Sequence, residues 1–146
     1  MKEKLITLLV LISPLNPPKT KIGEIKSLKE DLLIAKMLHH EACNDTEMNR
    51  IALTHLVYNR VLKGKSKGYE DTVESVLNQK GQWNGFNKWK DPCNKCIVSV
   101  YKAKFHCPIS DEVTHYLSKW DTDKKHIKKI KVLCEYGGHK FGSYVD

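Results

Sequence analysis

The segment from residue 46 to residue 62 constrains the fold of this chain more than any other, because as an α-helix it is apolar on nearly every side. Such a helix has little surface to offer to water and must run through the middle of a core that other elements build around it. At 146 residues, the chain has room for one domain of this kind. The apolar residues of the segment are Met48, Ile51, Ala52, Leu53, Leu56, Val57, Val61 and Leu62.

A second helix is predicted from Ile25 until Asn44-Asp45 break it, with an apolar stripe formed by Leu28, Leu32, Ala35 and Leu38. Glu41 continues this stripe, where a carboxylate is not expected. Burial beside apolar groups and the negative end of the helix dipole would both raise the pKa of its carboxyl group. A carboxylic acid that stays protonated near neutral pH is what cleavage of a glycosidic bond requires. On the pattern alone, the simpler interpretation is that Glu41 reaches solvent or pairs with a lysine.

The rest of the chain predicts two more helices and then two strands. A short helix begins at Asp71, which is followed three residues later by Glu74, the spacing of a capping box. An amphipathic helix covers residues 94–105. The period then changes to that of strands over residues 113–117 and 130–136, which are predicted to pair as a hairpin. The fold class is therefore α+β, mainly helical, with a small antiparallel sheet near the C-terminus.

The N-terminal residues are predicted to form a unit of their own. An apolar stretch over residues 5–12 follows a charged start, as in a secretory signal, but no A-x-A cleavage site comes after it. A segment that packs on the domain or anchors the chain to a partner explains it equally well. An extended linker over residues 13–24 is predicted from its three prolines, Pro14, Pro17 and Pro18. Residues 1–24 are thus a leader or anchor with a linker, and residues 25–146 a single domain.

The charge of the chain favours a polyanionic partner. Its formal net charge of +8 would attract nucleic acid, anionic lipid or bacterial wall polymer alike. Half of this charge comes from residues 118–131, where six lysines outnumber two aspartates and form a solvated face. With 40% hydrophobic and 29% charged residues, wholesale disorder is excluded. No apolar run approaches the roughly 20 residues that a transmembrane helix needs.

The five cysteines are an odd number, so complete pairing in disulfides would leave one over. Cys93 and Cys96 have the spacing of half a zinc site, for which His106 and Cys107 are the candidate remaining ligands. A pair poised to form a disulfide is the second interpretation, and incidental thiols are the favoured one, so no cofactor is predicted. His39 is assigned to a solvated helix face.

Several blocks of the sequence occur in a fixed order that points to one family. They are Glu41-Ala42, Ala52, Asn59-Arg60-Val61, residues 69–73, 76–77 and 79–83, Thr114–Leu117 and Gly137–Phe141. This order resembles the signature of the cell wall hydrolases typified by the spore-cortex-lytic (SleB-type) enzymes. The family motifs are E-A-R-G-E, an alanine eleven residues after the first glutamate, N-R-V, Q-x-G-Q-[FW], G-A-L-Y-F and G-x-H-x-F. The resemblance covers about residues 30–142.

The resemblance implies a mainly helical, lysozyme-like domain that acts on the glycan strands of peptidoglycan as a lytic transglycosylase. Glu41 would protonate the oxygen between N-acetylmuramic acid and N-acetylglucosamine, and the muramoyl C6 hydroxyl would attack C1 to give a 1,6-anhydro product. An internal nucleophile removes the need for a second carboxylate to activate water. Asp45 is the candidate second carboxylate for hydrolysis, although a cap of the following helix is its favoured role.

The resemblance also implies roles for other residues, and the chain departs from the family motif at two places. Cys43-Asn44-Asp45 replace Arg-Gly-Glu, and Asn49 replaces a glycine. Gln82 and Trp83 would line the substrate groove. A position in the core is an equally good interpretation of Trp83. The remaining matches are Tyr116 and His139 near the cleft, and Asn59 and Arg60 as supports of the helix that carries Glu41.

Other functions stay open at this point. A non-catalytic peptidoglycan-binding or virion structural protein of the same fold is the main alternative. A nucleic-acid-binding or nuclease domain would need lysines on one face and a complete metal site, and a zinc amidase would need a His/Asp/Glu constellation; neither pattern is visible. No nucleic-acid partner is therefore predicted. The setting is either extracytoplasmic in a bacterium or a bacteriophage virion or endolysin, with residues 1–24 as the candidate contact to virion or membrane.

Overall fold

In a computed structural model, the described residues are 21–64, 71–79, 83 and 88–145, with side chains described from residue 28 onward. Five helices and three strands follow one another in these ranges. They are α1 (Lys21–Ala42), α2 (Glu47–Lys63), α3 (Val73–Asn78), α4 (Asn94–Ala103), β1 (His115–Leu117), α5 (Lys124–Lys128), β2 (Ile130–Tyr136) and β3 (His139–Tyr144). The predicted α+β class, mainly helical with a small antiparallel sheet near the C-terminus, is confirmed.

Helix α2 lies at the centre of the fold, as its pattern predicted. It contacts α1, α3, α4, β1 and β2. Leu53, Leu56 and Val57 have no exposed surface, whereas Leu62 at the end of the helix is 81% exposed. The core around α2 takes its other large buried side chains from three helices, a loop and the sheet: Ile34, Met37 and Leu38 of α1, Val76 and Leu77 of α3, Val100 of α4, Val113, and Phe141 of β3.

The sheet has the strand order β1-β3-β2, and all its pairs are antiparallel. The prediction that residues 113–117 and 130–136 pair with each other is therefore wrong, because β3 lies between β1 and β2. The hairpin is formed by β2 and β3 instead. Gly137 and Gly138, with φ of 58° and 79°, form the tight turn between these strands, and such positive φ angles are open to glycine at little cost.

Two helices begin with a threonine where an aspartate was predicted. Thr46 caps α2 by accepting a hydrogen bond from the Asn49 backbone N–H at 3.2 Å. Thr72 caps α3 in a reciprocal arrangement with Ser75. The predicted caps, Asp45 and Asp71, are each one residue too early, because the threonine hydroxyls take the capping bonds.

The first helix begins earlier than the sequence indicated. Residues 21–24 belong to α1, so the predicted extended linker over residues 13–24 is wrong for its last four residues. Its three prolines precede Lys21, the first described residue, in the sequence. The predicted leader and the rest of the linker lie outside the described residues. No helix in the described part of the chain is long and apolar enough to cross a membrane.

Two buried polar residues of α2 hold the segment that leads into β1. The Asn59 side-chain amide donates to the carbonyl oxygens of Ser110 at 3.0 Å and Val113 at 2.8 Å. Arg60 Nε donates to the carbonyl oxygen of Thr114 at 2.7 Å. These bonds fix the sheet relative to the helices, and a support of Glu41 through α1 stays a prediction.

Replacing Asn59 by alanine should therefore destabilise the protein. The substitution removes two hydrogen bonds to main-chain carbonyl groups, and we expect the free energy of unfolding to fall by about 2 kcal/mol. Urea unfolding followed by circular dichroism measures the change. Asn78→Ala is the matched control, since Asn78 is exposed, and it should cost less than about 0.5 kcal/mol. Equal losses in the two variants would contradict the assignment.

Candidate active site

Glu41 lies in the last turn of α1 with 27% of its side chain exposed. Burial raises the pKa of its carboxyl group above the ordinary value, which confirms the predicted direction. His40 acts against this shift, because its Nε2 atom lies 3.9 Å from Glu41 Oε1 and a protonated imidazole favours the carboxylate. The effect of burial is the larger one, so the net shift of the pKa is upward.

Two cavities adjoin Glu41. The first has a volume of about 280 Å³ and the second about 240 Å³. Glu41 is the one described residue that lines both. The first cavity is otherwise formed by the end of α1, the following loop, Lys119 and Trp120. A carboxylic acid between two cavities is placed to act on a bond in the middle of an extended chain.

The second cavity is rich in aromatic and neutral polar groups. Burial, followed by the charges of Arg60 and His126, lowers the pKa of His115 to about 4, so its imidazole is neutral at neutral pH. The guanidinium carbon of Arg60 lies 5.6 Å from the ring centroid of Trp83. Aromatic faces and neutral hydrogen-bonding groups in a cleft suit a sugar ring. The other lining residues are Tyr116, Ser118, Asp121 and Tyr144.

A buried histidine connects Asp45 to Tyr116, through a close contact on one side and a hydrogen bond on the other. His139 Nε2 lies 2.6 Å from Asp45 Oδ2, and its Nδ1 lies 2.8 Å from the Tyr116 hydroxyl. The Lys119 backbone N–H donates to the same Nδ1 at 3.3 Å. Nδ1 is therefore the acceptor nitrogen, to which the Tyr116 hydroxyl donates, and Nε2 is the nitrogen in contact with Asp45. This contact explains why Asp45 does not cap α2.

The structure brings some of the predicted site residues together and separates others. Glu41, Trp83, Tyr116 and Arg60 share the second cavity. Trp83 is also 9% exposed and packs in the core. It therefore lines the cavity and belongs to the core at once, the two positions that the sequence left open. Asp45 lines the first cavity. His139 and Asn59 support neighbouring elements from buried positions, and Gln82 lies outside the described residues.

Several lining residues were not singled out from the sequence. His115, Asp121, His126 and Tyr144 line the second cavity, and no motif or spacing marks them. Trp120 lines the first cavity and is 77% exposed, with Lys119 Nζ 5.2 Å from its ring centroid. A tryptophan within a lysine-rich, solvated segment is the signal that could have marked this position.

The predicted partners of Cys93 and Cys96 are wrong. Cys107 donates to the carbonyl oxygen of Ile109, and the His106 carbonyl oxygen contacts His55. Neither residue lies beside Cys93 and Cys96. Their neighbours are His39 and Cys43, from the end of α1. None of the five cysteines forms a disulfide. His39, assigned to a solvated face, instead accepts a hydrogen bond from the Cys93 backbone N–H at 3.2 Å.

The opposing effect of His40 can be tested on the pKa of Glu41 itself. His40→Gln removes the positive charge while keeping a side chain of similar length, so we expect the pKa of Glu41 to rise further. Carbon NMR titration of the carboxyl group measures it. His55→Gln is the control, because His55 lines neither cavity, and it should leave the titration unchanged. A lower pKa in His40→Gln would contradict this account.

Comparison with known proteins supports the architecture. No family profile matches the chain, and no curated protein matches it significantly in sequence. The catalytic domain of the germination-specific lytic transglycosylase SleB from Bacillus anthracis matches with a TM-score of 0.68 at 17% identity, over 78% of this chain and 93% of that one. The catalytic domain of the Bacillus cereus SleB protein matches with a TM-score of 0.64 at 16% identity, over 78% and 88%. The chain therefore has a SleB-type fold.

Proposed function

We propose that this protein cleaves the glycan strands of bacterial peptidoglycan and that Glu41 is its general acid. The observation that carries the proposal is a partly buried carboxyl group, with its pKa raised by burial, between two cavities of the fold. The similarity to the catalytic domain of a lytic transglycosylase supports the same substrate. Since peptidoglycan lies outside the cytoplasmic membrane, the protein would act there, after secretion or from a bacteriophage, with residues 1–24 as the segment that associates with membrane or virion.

In the proposed reaction, protonated Glu41 donates its proton to the glycosidic oxygen between N-acetylmuramic acid and N-acetylglucosamine. The bond from this oxygen to C1 of the muramoyl residue breaks, and the oxygen leaves as a hydroxyl group of N-acetylglucosamine. The muramoyl C6 hydroxyl forms the new bond to C1, and its proton returns to the Glu41 carboxylate. The acid is thereby regenerated, and no water is consumed.

The other carboxylates near the site favour this internal nucleophile over water. Besides Glu41, the described residues bring Asp45 to the first cavity and Asp121 to the second. Asp45 is paired with His139 at 2.6 Å, and Asp121 accepts a hydrogen bond from the Ser118 backbone N–H at 2.7 Å. A hydrolase needs a second carboxylate that is placed to activate water or to attack C1. Both candidates here hold structural contacts instead.

The two cavities also suit a polymer that crosses the site. Trp83, Tyr116 and Tyr144 offer aromatic surface in the second cavity, and Trp120 offers it in the first. The net charge of +8 attracts an anionic wall polymer. Because the acid must carry its proton at the start of each turnover, the rate should fall as the pH rises through the pKa of Glu41. The raised pKa extends the active range to higher pH than an ordinary glutamate would allow.

Replacing Glu41 by glutamine tests the proposed acid. We expect Glu41→Gln to reduce the release of muropeptides from purified peptidoglycan by roughly 100-fold or more, because an amide cannot donate the proton. Mass spectrometry of the released muropeptides identifies the products, which should carry 1,6-anhydro ends in the wild type. Glu135→Gln is the matched control, since Glu135 is exposed on β2, and it should cleave at the wild-type rate.

The alternative outcomes separate the competing functions. Products with reducing ends, lost in Glu41→Gln, would retain the acid and make water the nucleophile, with Asp45 or Asp121 as the second carboxylate. No release by the wild type, with binding to the wall intact, would contradict catalysis. That result would favour a non-catalytic peptidoglycan-binding or virion structural protein.

Trp120 is the residue that we expect to hold the polymer in the first cavity. In the inactive Glu41→Gln background, Trp120→Ala should weaken retention on insoluble peptidoglycan about fivefold, the effect of losing about 1 kcal/mol of stacking. A sedimentation assay measures the bound fraction. Phe105→Ala is the control, because Phe105 is 62% exposed and lines neither cavity. Similar binding by the two variants would exclude this role for Trp120.

A further inference from the structure

Four side chains from two helix ends meet beside the candidate active site. They are His39 and Cys43 in and just after the last turn of α1, Cys93 at the N-cap of α4, and Cys96 in its first turn. One nitrogen or sulfur atom from each lies within 4.8 Å of all the others. The sulfur of Cys93 is 3.2 Å from that of Cys43 and 3.4 Å from that of Cys96.

These distances match the shape of a tetrahedral zinc site. With Zn–S bonds of about 2.3 Å, two sulfurs on neighbouring corners of the tetrahedron are about 3.8 Å apart. Shifts of about half an ångström would therefore bring the three thiols to their places around an ion. The fourth corner belongs to His39, whose Nδ1 accepts a hydrogen bond from the Cys93 backbone N–H at 3.2 Å and would exchange this bond for the ion.

We propose that His39, Cys43, Cys93 and Cys96 bind one Zn²⁺ ion. Three thiolates and an imidazole are a ligand set that zinc favours over magnesium or calcium. All four corners are filled by protein, which is the mark of a structural site rather than a catalytic one. A disulfide would use two of the three sulfurs and leave the third cysteine and the histidine unexplained.

The surroundings suit the charge of such a site. One Zn²⁺ with three thiolates and a neutral imidazole has a net charge of −1. Arg50 is 5% exposed, and its Nη1 donates to the Cys43 carbonyl oxygen at 3.5 Å. This guanidinium partly offsets the negative charge. Cys96 is buried and the other three ligands are half-buried, so the cluster is partly open to solvent.

The site would fix the part of α1 that carries Glu41. His39 precedes Glu41 by two residues and Cys43 follows it by two. A metal ion bound by both ties this turn to α4, across a separation of about fifty residues in the sequence. The evidence for the site is independent of the proposed activity, because it rests on the four ligand positions alone.

The zinc content of the purified full-length protein tests the proposal. Prepared with a reductant and without a chelator, the wild type should contain about one zinc ion per chain by elemental mass spectrometry. Cys43→Ala and Cys96→Ala should each retain less than about a tenth of the wild-type zinc content. Cys107→Ala and Cys134→Ala are the matched controls, since these cysteines lie outside the cluster, and they should keep the full content.

Two further measurements keep the test decisive if the alanine variants fold poorly. X-ray absorption of the wild type should show three Zn–S bonds of about 2.3 Å and one Zn–N bond of about 2.0 Å. His39→Cys replaces one ligand by another and should keep the ion, with four sulfurs around it. A metal-free wild type after zinc supplementation, a disulfide within the cluster, or equal loss of zinc in Cys107→Ala would overturn the proposal.

Discussion

The burial of the middle of α2, from Asn49 to Arg60, is the constraint on which the rest of the structure depends. Polar side chains on an enclosed helix lose their bonds to water and must find partners inside the protein. Arg50 donates hydrogen bonds to the Ser99 hydroxyl on α4 and to the carbonyl oxygen of Asp45 in the loop after α1. Asn59 and Arg60 donate hydrogen bonds to main-chain carbonyl groups of the segment before β1. The polar groups of one helix thus position α4, the end of α1 and the sheet relative to one another.

The candidate active site forms where these positioned elements meet. Glu41 comes from the end of α1, Trp83 from a loop, and His115 and Tyr116 from β1. The strand β1 has only three residues, so its own hydrogen bonds to β3 are few. Its place depends on the bonds that Asn59 and the neighbouring arginine make just before it. The buried polar groups of α2 therefore help to position the strand that lines the second cavity.

Local sequence patterns predicted the helices and the unusual place of Glu41, because the helical period and the burial of one face are properties of neighbouring residues. Details that depend on a choice between adjacent polar side chains were wrong by one residue, as at Thr46. The β2–β3 pairing was missed because Gly137 and Gly138 were assigned to a family motif rather than to a turn. The contact of His39 with Cys93 joins residues 54 positions apart, so no local sequence pattern could predict it.

The last turn of α1 must stay closed more firmly than an ordinary helix end, because it holds Glu41 in a partly buried position. Its final carbonyl groups lack partners within the helix, and such turns open readily. Glu41 keeps its raised pKa only while it is buried, so opening of this turn would return the pKa of its carboxyl group toward the ordinary value. Arg50 bonds to the carbonyl oxygens of Cys43 and Asp45, and the proposed zinc site holds His39 and Cys43. These contacts act on both sides of Glu41, so the stability of the turn and the protonation of the acid are controlled by the same interactions.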